Sequence, residues 1–236
     1  DATANNYNAD ATLNAGLYTN NLNVYLLAEN TLNYQRTLGK HDLSGVVGVT
    51  TERTSISRQQ NAGLDYPSDD IRTLSSAAQL DLSRTFGTKA VIGLNSMLGR
   101  FAYAYGGKYM FSTSLRTDGS SYFSPGNKWG TFPSVSAGWV VSKEDFLKNV
   151  SWLSNFKLRA SYGATGNNRI IENAWVDLLS GSNYPFGIAT GSSNPGLISS
   201  NSIIANPNIT WERTFQTNFG IDLSILKNRI GLSVDM

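Results

Sequence analysis

The sequence predicts an all-β fold, a transmembrane antiparallel up-and-down β-barrel of which about eight strands are present. Three observations carry this. Apolar and polar residues alternate with a period of two. Connections between the alternating runs are short and long in turn. No run approaches the roughly 20 apolar residues of a spanning helix.

Taken in chain order, three weaker strands come first, marked by Val24, Leu26 and Ala28, by Leu43, Val47 and Val49, and by Phe101, Tyr103 and Tyr105. Stronger alternation then sets Tyr109, Phe111, Thr113 and Leu115 opposite Ser112, Ser114, Arg116 and Asp118. Val135, Ala137, Trp139 and Val141 oppose Ser134, Ser136 and Gly138. Phe156, Leu158, Ala160 and Tyr162 oppose Lys157, Arg159, Ser161 and Gly163. Phe215, Thr217, Phe219 and Ile221 oppose Thr214, Gln216, Asn218, Gly220 and Asp222. The last run sets Ile230, Leu232, Val234 and Met236 against Arg229, Gly231, Ser233 and Asp235.

Compact links occur at Arg36 to Lys40, Gly106-Gly107, Ser142 to Asn155 and Leu223 to Asn228. Longer polar segments run from Thr54 to Ser96, Thr117 to Lys128 and Ala164 to Thr210. Tight turns on one side and long loops on the other are what a membrane meander gives. A soluble β-sandwich also alternates, with its apolar face inward. The barrel is favoured by the strict loop parity and by aromatics gathered where strands meet short turns. Tyr103, Tyr105, Tyr109 and Phe111 bracket Gly106-Gly107, and Trp139 and Phe156 flank the next link, as in an interfacial girdle. The polar face also holds Arg, Lys, Asp and Gln beside Ser and Gly, as a wet lumen would.

Composition narrows the function classes. Charged residues make up 15% of the chain, against about 25% in soluble proteins. The net charge is +2 with no basic cluster along any segment, so a nucleic-acid footprint is absent. Cysteine is absent, which excludes disulfides, thiolate catalysis and Cys-based zinc sites. Asp1-Ala2-Thr3-Ala4 has neither the basic start nor the apolar stretch of a signal peptide, so a mature or incomplete chain is expected.

Three segments resemble the SusC/RagA family of TonB-linked outer-membrane proteins, the TonB-dependent receptors. The first is Leu115-Arg116-Thr117-Asp118-Gly119-Ser120-Ser121-Tyr122-Phe123 with the run from Asn127 to Trp139. The second is Leu158 to Asn168, and the third runs from Asn206-Pro207-Asn208-Ile209-Thr210-Trp211 to Asp222. The resemblance covers most of 97–236, and residues 1–96 share only its strand-and-loop rhythm. It implies a barrel of about 22 strands around a plug, of which residues 1–236 form part of a single barrel domain. The plug and the TonB-contacting segment have no counterpart in the sequence, and the last alternating run stops at Val234-Asp235-Met236. Two open edges in lipid are not viable, so a fragment or one chain of a split protein is expected. The implied function is energy-dependent uptake of oligomeric nutrients, oligosaccharide or oligopeptide, across the bacterial cell outer membrane. Its implied partners are a SusD-like surface lipoprotein, TonB, the rest of the barrel and plug, and the lipid bilayer. The alternative is a small structural or adhesive barrel with no transport role.

Enzyme readings find little support, and no cofactor or metal is expected. The single histidine, His41, reads as a polar turn residue. Glu144 and Asp145 follow Ser142, a pattern read as a helix start with Ser142 as cap. Asp69-Asp70 after Pro67-Ser68 reads as a turn, since one carboxylate pair lacks calcium's oxygen count. The Gly163–Asn168 stretch lacks the Lys and Ser/Thr of a phosphate loop. Lumen candidates are Arg116, Lys157, Arg159, Glu212 and Gln216, read first as plug contacts and lining of a wet lumen. Candidates for substrate contact in the long loops are Tyr122, Trp129, Trp175, Tyr184 and Phe186, with packing among loops as the plainer reading. The two-residue period directs Leu115, Leu158, Phe219 and Leu232 to lipid, and Arg116, Arg159 and Asp222 to the lumen. Parity places 164–210 outside the cell, where Trp175, Tyr184, Phe186, Ile188 and Ile203-Ile204 argue for packing around a substrate chamber.

Overall fold

The computed structural model describes residues 14–68, 70–71, 73–185, 193–199 and 204–236. Its strands are β1 (Ala15–Leu38), β2 (His41–Leu64), β3 (Gln79–Leu80), β4 (Phe86–Tyr105), β5 (Tyr109–Ser120), β6 (Trp129–Val140), β7 (Leu153–Asn167), β8 (Leu179–Pro185), β9 (Ser193–Ser199), β10 (Glu212–Ile225) and β11 (Ile230–Asp235). The main sheet has the order β1-β2-β4-β5-β6-β7-β10-β11, with β3 on β2, while β8 and β9 form a sheet of their own. Each strand of the main path thus pairs with the next main strand in sequence, as an up-and-down meander requires. The eight expected strands are the eight of that path.

Three of them are longer than the alternation indicated. β1 and β2 have 24 residues each and β4 has 20, where about 9–11 tilted residues cross a bilayer. The segment from Thr54 to Ser96 is therefore mostly strand, with its irregular part confined to 65–85 and holding β3. Stretches such as Thr54-Ser55-Ile56-Ser57-Arg58-Gln59-Gln60 carry polar residues on both faces, so no apolar period announces them. Likewise β5 reaches Ser120 and β7 reaches Asn167, and Ala164 to Thr210 contains the β8–β9 hairpin.

The chain forms two compact units, Asp1–Leu27 with Glu52–Gly93 and Ala28–Thr51 with Leu94–Met236. In the first, the Tyr66 ring is buried against Gly16 and Gly63, where an added Cβ would collide with it. The turn after β3 is fixed by Asp81, whose carboxylate accepts from Ser83 N (3.0 Å) and Ser83 Oγ (2.6 Å). Those Ser83 bonds, with the Arg84 guanidinium second, hold the Asp81 carboxyl at about 2.

In the second unit the two faces differ in kind. One cross-strand row on the apolar face runs Tyr105, Tyr109, Trp139, Leu158, Ile221 and Val234. Leu115, Phe219 and Leu232 share that face and are more than half exposed. On the polar face a row runs Ala102, Ser112, Ser136, Ser161 and Asn218. An exposed apolar face this continuous is foreign to a chain facing water on both sides.

The short turns lie at one end of the strands. Gly106 and Gly107 have φ of 58° and 62°, and Lys108 N donates to Tyr105 O at 3.0 Å, a type I′ turn that glycine adopts freely. Gly106 N donates to Lys40 O (2.7 Å), Val140 N to Lys108 O (2.7 Å) and Leu226 N to Trp152 O (2.8 Å), so neighbouring turns are laced together. The expected Ser142-capped helix is absent. Two 3-10 turns, Val141–Lys143 and Asp145–Leu147, stand there without a side-chain cap, because the extended Glu144 separates them and spends its carboxylate elsewhere.

Candidate functional site

Three layers on the polar face of β4–β7, β10 and β11 make up the candidate site. Nearest the turns, Arg159 on β7 binds Asp222 on β10 through two bonds of 2.8 and 3.0 Å, and Asp235 on β11 at 3.0 Å. Ser233 Oγ donates to Asp222 at 2.7 Å. Arg159, Gly220 and Asp235 lie in one cross-strand row. The guanidinium reaches Asp235 across Gly220, where a Cβ would meet both partners. A glycine window thus lets one arginine, paired with two carboxylates, tie three strands. Lys157 stands on the same face opposite Asp222.

The middle layer is small and uncharged. Ser112 and Ser136 hydroxyls pair at 2.7 Å, as do those of Ser114 and Ser134. With Ala102, Gly138 and Ser161, the Ser112–Ser136 pair lines a groove of about 480 Å³ running to Arg159 and Asp235. Above it, Arg116 Nε donates to both Asp118 oxygens at 2.8 Å and Arg116 Nη2 to Ser96 Oγ at 3.2 Å. Glu212 accepts from Asn167 Nδ2 at 2.8 Å, and Gln216 pairs in register with Gly163. All five lumen candidates therefore share one face, but they lie in separate layers rather than at one focus.

At the loop end a buried aromatic cluster closes the sheet. Phe123 is 0% exposed and packs with Phe132 and Trp211, ringed by Leu94, Ile170 and Ile209. The Trp211 ring lies 5.3 Å from Phe123 and 5.4 Å from Phe132, the latter edge-on. Phe132 lies over Gly166, and Trp211 over Gly130, with no room for a Cβ at either glycine. Polar bonds lock the same strap: Ser124 Oγ to Pro207 O (2.9 Å), Asn127 Nδ2 to Pro207 O (3.1 Å) and Trp211 Nε1 to Lys128 O (2.8 Å). The segments that carry the family resemblance are thus the parts of this clasp. Sequence reasoning missed its core residues, and the paired signal was a glycine under each of two aromatics, Gly166 one strand from Phe132 and Gly130 two strands from the Trp211 that precedes β10.

The loop aromatics are scattered. Tyr122 is half-buried beside Phe123, and Trp175 is half-buried in a turn. Tyr184 lies in β8 opposite Asn194. Trp129 is not a loop residue: it opens β6 on the apolar face, 52% exposed, because pairing with Gly119 extends the sheet to it. Phe186, Ile188, Ile203 and Asp69 lie outside the described residues. Asp70 N donates to Ser68 Oγ at 3.2 Å, in keeping with a turn. His41 opens β2, its Nδ1 2.8 Å from the Tyr103 hydroxyl. At the turn end Glu144 accepts from Lys108 Nζ (3.0 Å) and Trp139 Nε1 (3.1 Å). The Tyr109 hydroxyl, then Trp139, then Lys108 hold its carboxyl at about 2. Among the described residues no group of three or more His, Cys, Asp or Glu is placed to hold a metal.

Comparison with known proteins fits this geometry. No protein-family model matches the chain. A TonB-dependent receptor of Formosa agariphila is 35% identical over 215 residues, 88% of this chain and 19% of that relative. The TonB-dependent receptor SusC of Bacteroides thetaiotaomicron is 40% identical over 148 residues, 60% of this chain and 14% of SusC. The chain therefore spans about a fifth or less of these relatives. Among solved structures, the RagAB peptide transporter superposes with a TM-score of 0.81 at 26% identity, over 98% of this chain and 25% of that one. An antiparallel meander with one apolar and one polar face, superposing on that transporter and carrying the signature segments in its clasp, belongs to the SusC/RagA type of TonB-dependent receptor and corresponds to a stretch of its β-barrel wall.

Proposed function

We propose that the chain is barrel wall of a bacterial outer-membrane importer that takes up oligomeric nutrients, glycans or peptides, driven by TonB and capped by a SusD-like lipoprotein. The observation that carries this is the two-faced sheet of the second unit, with apolar side chains exposed on residues 94–105 of β4 and on β5, β6, β7, β10 and β11, and hydroxyls and ion pairs on the other face. Kinship with SusC and likeness to the RagAB peptide transporter support the cargo class. The wall's part is passive. Arg116, Lys157, Arg159, Glu212 and Gln216 line the lumen or meet the plug, and Tyr122, Trp175, Tyr184 and Phe186 belong to the outer loops.

The test uses the full-length receptor in its host. This stretch has no native cysteine, so single cysteines at Ser193 and Asn228 report sidedness. A membrane-impermeant maleimide is expected to label Ser193→Cys on whole cells, and Asn228→Cys only after the outer membrane is opened. The reverse pattern sinks the topology. Removing residues 175–205 is expected to leave the barrel assembled while lowering oligomer uptake and lipoprotein association. Unchanged uptake removes that loop from the mechanism.

A further inference from the structure

We infer that the short-turn end of this wall is a binding collar for anionic phospholipid headgroups, with the turn after β6 dipping its aromatics into the same leaflet. The inference rests on the membrane-barrel reading above. The apolar face ends in amphipathic rings: Tyr103 and Tyr105 beside His41, then Tyr109 and Trp139. Glu144 bonds the indole of Trp139, a ring of that face, which draws the Val141–Leu147 turn toward the apolar side of the strand ends. The link 141–152 that it opens exposes Phe146 (69%) and Trp152 (55%), and the neighbouring turn exposes Leu226 (50%). Leu226 N bonds Trp152 O, so these two apolar side chains belong to adjoining turns.

Large apolar groups at a turn would be a liability in water. Here they continue an apolar face that already meets lipid. Charge says which lipid. The same turns carry Lys40, Lys108, Lys143, Lys148, Lys227 and Arg229 against Glu144 and Asp145. Glu144 is satisfied by Lys108, and Asp145 by Lys148. Lys143 donates to Gly107 O at 3.1 Å. Lys40, Lys227 and Arg229 are exposed and make no side-chain hydrogen bond or ion pair among the described residues. Cations held just beyond an aromatic girdle match phosphate-bearing headgroups, which such residues attract within a Debye length. A soluble protein partner would not need the collar to be continuous with the apolar face.

The experiment reconstitutes the full-length receptor in nanodiscs of phosphatidylcholine alone or with phosphatidylglycerol. Retained lipid is read by native mass spectrometry, and the depth of Trp152 by quenching with brominated acyl chains against a Trp152→Phe control. The wild type is expected to enrich phosphatidylglycerol around itself and to show quenching that depends on Trp152. In the combined Lys40→Ser, Lys227→Ser and Arg229→Ser variant the enrichment is expected to fall roughly fivefold per charge removed, with heat-resistant folding unchanged. Equal enrichment in the variant, or a Trp152 that bromine does not reach, overturns the collar while leaving the barrel intact. Failure to insert into phosphatidylcholine alone overturns the barrel reading as well, which separates the two failures.

Discussion

The two ends of the second unit's strands solve the same problem, holding connections against a sheet, by opposite means. At the loop end three aromatics are buried, Phe123 completely, and bonds from Ser124, Asn127 and Trp211 to backbone oxygens stitch 121–128 to 206–211. At the turn end the aromatics are exposed, and the holding is done by a carboxylate, an ammonium and a lacing of turn backbones. The difference follows from which way the apolar side chains turn. At the loop end they turn inward and build a small core over glycine windows in the sheet. The turns of two to four residues after β1, β4 and β10 are too short for a core, and the link 141–152 turns Phe146 and Trp152 outward, so this end relies on backbone geometry and on charge. Burial is what stabilises one end, and hydrogen bonding the other.

Five measurements on the full-length receptor would break or sharpen that contrast. The largest effect is expected at the clasp: Phe123→Ala is predicted to cost about 3–5 kcal/mol, read as loss of heat resistance and of denaturant midpoint. A change under about 1 kcal/mol, small for a core site, would mean that the loop end is not held by its core. Next, Leu115→Arg is predicted to cost about 2–4 kcal/mol for a cation in mid-membrane, while Ser114→Arg is tolerated. Assembly yields in the opposite order would exchange the faces of the wall. Third, Gly220→Ala is expected to sever the Arg159 link to Asp235 and cost about 1–3 kcal/mol, with Arg159→Gln adding little to it. Full additivity in a double-mutant cycle would refute the three-strand tie.

At the turn end Glu144 gives a pH test. Its folded carboxyl is depressed to about 2 from an ordinary 4.5, so its contribution is fully present above about 4.5 and is lost as pH falls toward 2. Melting from pH 6 to pH 3 should therefore drop more steeply in the wild type than in Glu144→Gln, and parallel curves would remove Glu144 from the holding of the turn end. The smallest effect concerns the β10–β11 turn, where Leu226, Lys227 and Asn228 all have positive φ, 52° to 63°. Lys227→Gly relieves left-handed strain of about 1–3 kcal/mol against about 0.4–1 kcal/mol of added unfolded-chain entropy, so a small net rise in stability is expected. A lowered midpoint would show that the Lys227 side chain contributes more than its strain.

Much of the fold is legible because a lipid-facing sheet writes its period into the sequence. Leu115, Leu158, Phe219 and Leu232 fall on the apolar face, and Arg116, Arg159 and Asp222 on the polar one. Where polar residues fall on both faces of a strand the writing stops, so the full lengths of β1 and β2 and the β8–β9 hairpin are not announced. Local rules misled at Ser142, where a tertiary bond to Trp139 took Glu144 out of a helical turn. The clasp was illegible for another reason. Its core joins Phe123, Phe132 and Trp211 across about 90 positions, and only pairing of β6, β7 and β10 brings them together.

One backbone bond, Asn206 N to Ala174 O at 3.0 Å, draws together the two ends of the excursion that carries β8 and β9. The wall's register is set on either side of that point and does not pass through the excursion. Doubling the length of such a segment adds only about 0.6 kcal/mol of closure entropy. Natural selection is therefore free to lengthen, shorten or recombine 175–205 as one heritable cassette, with drift in its sequence carrying no penalty for the strands beneath. A lineage built on this plan diversifies by exchanging what hangs from the wall and keeping the wall.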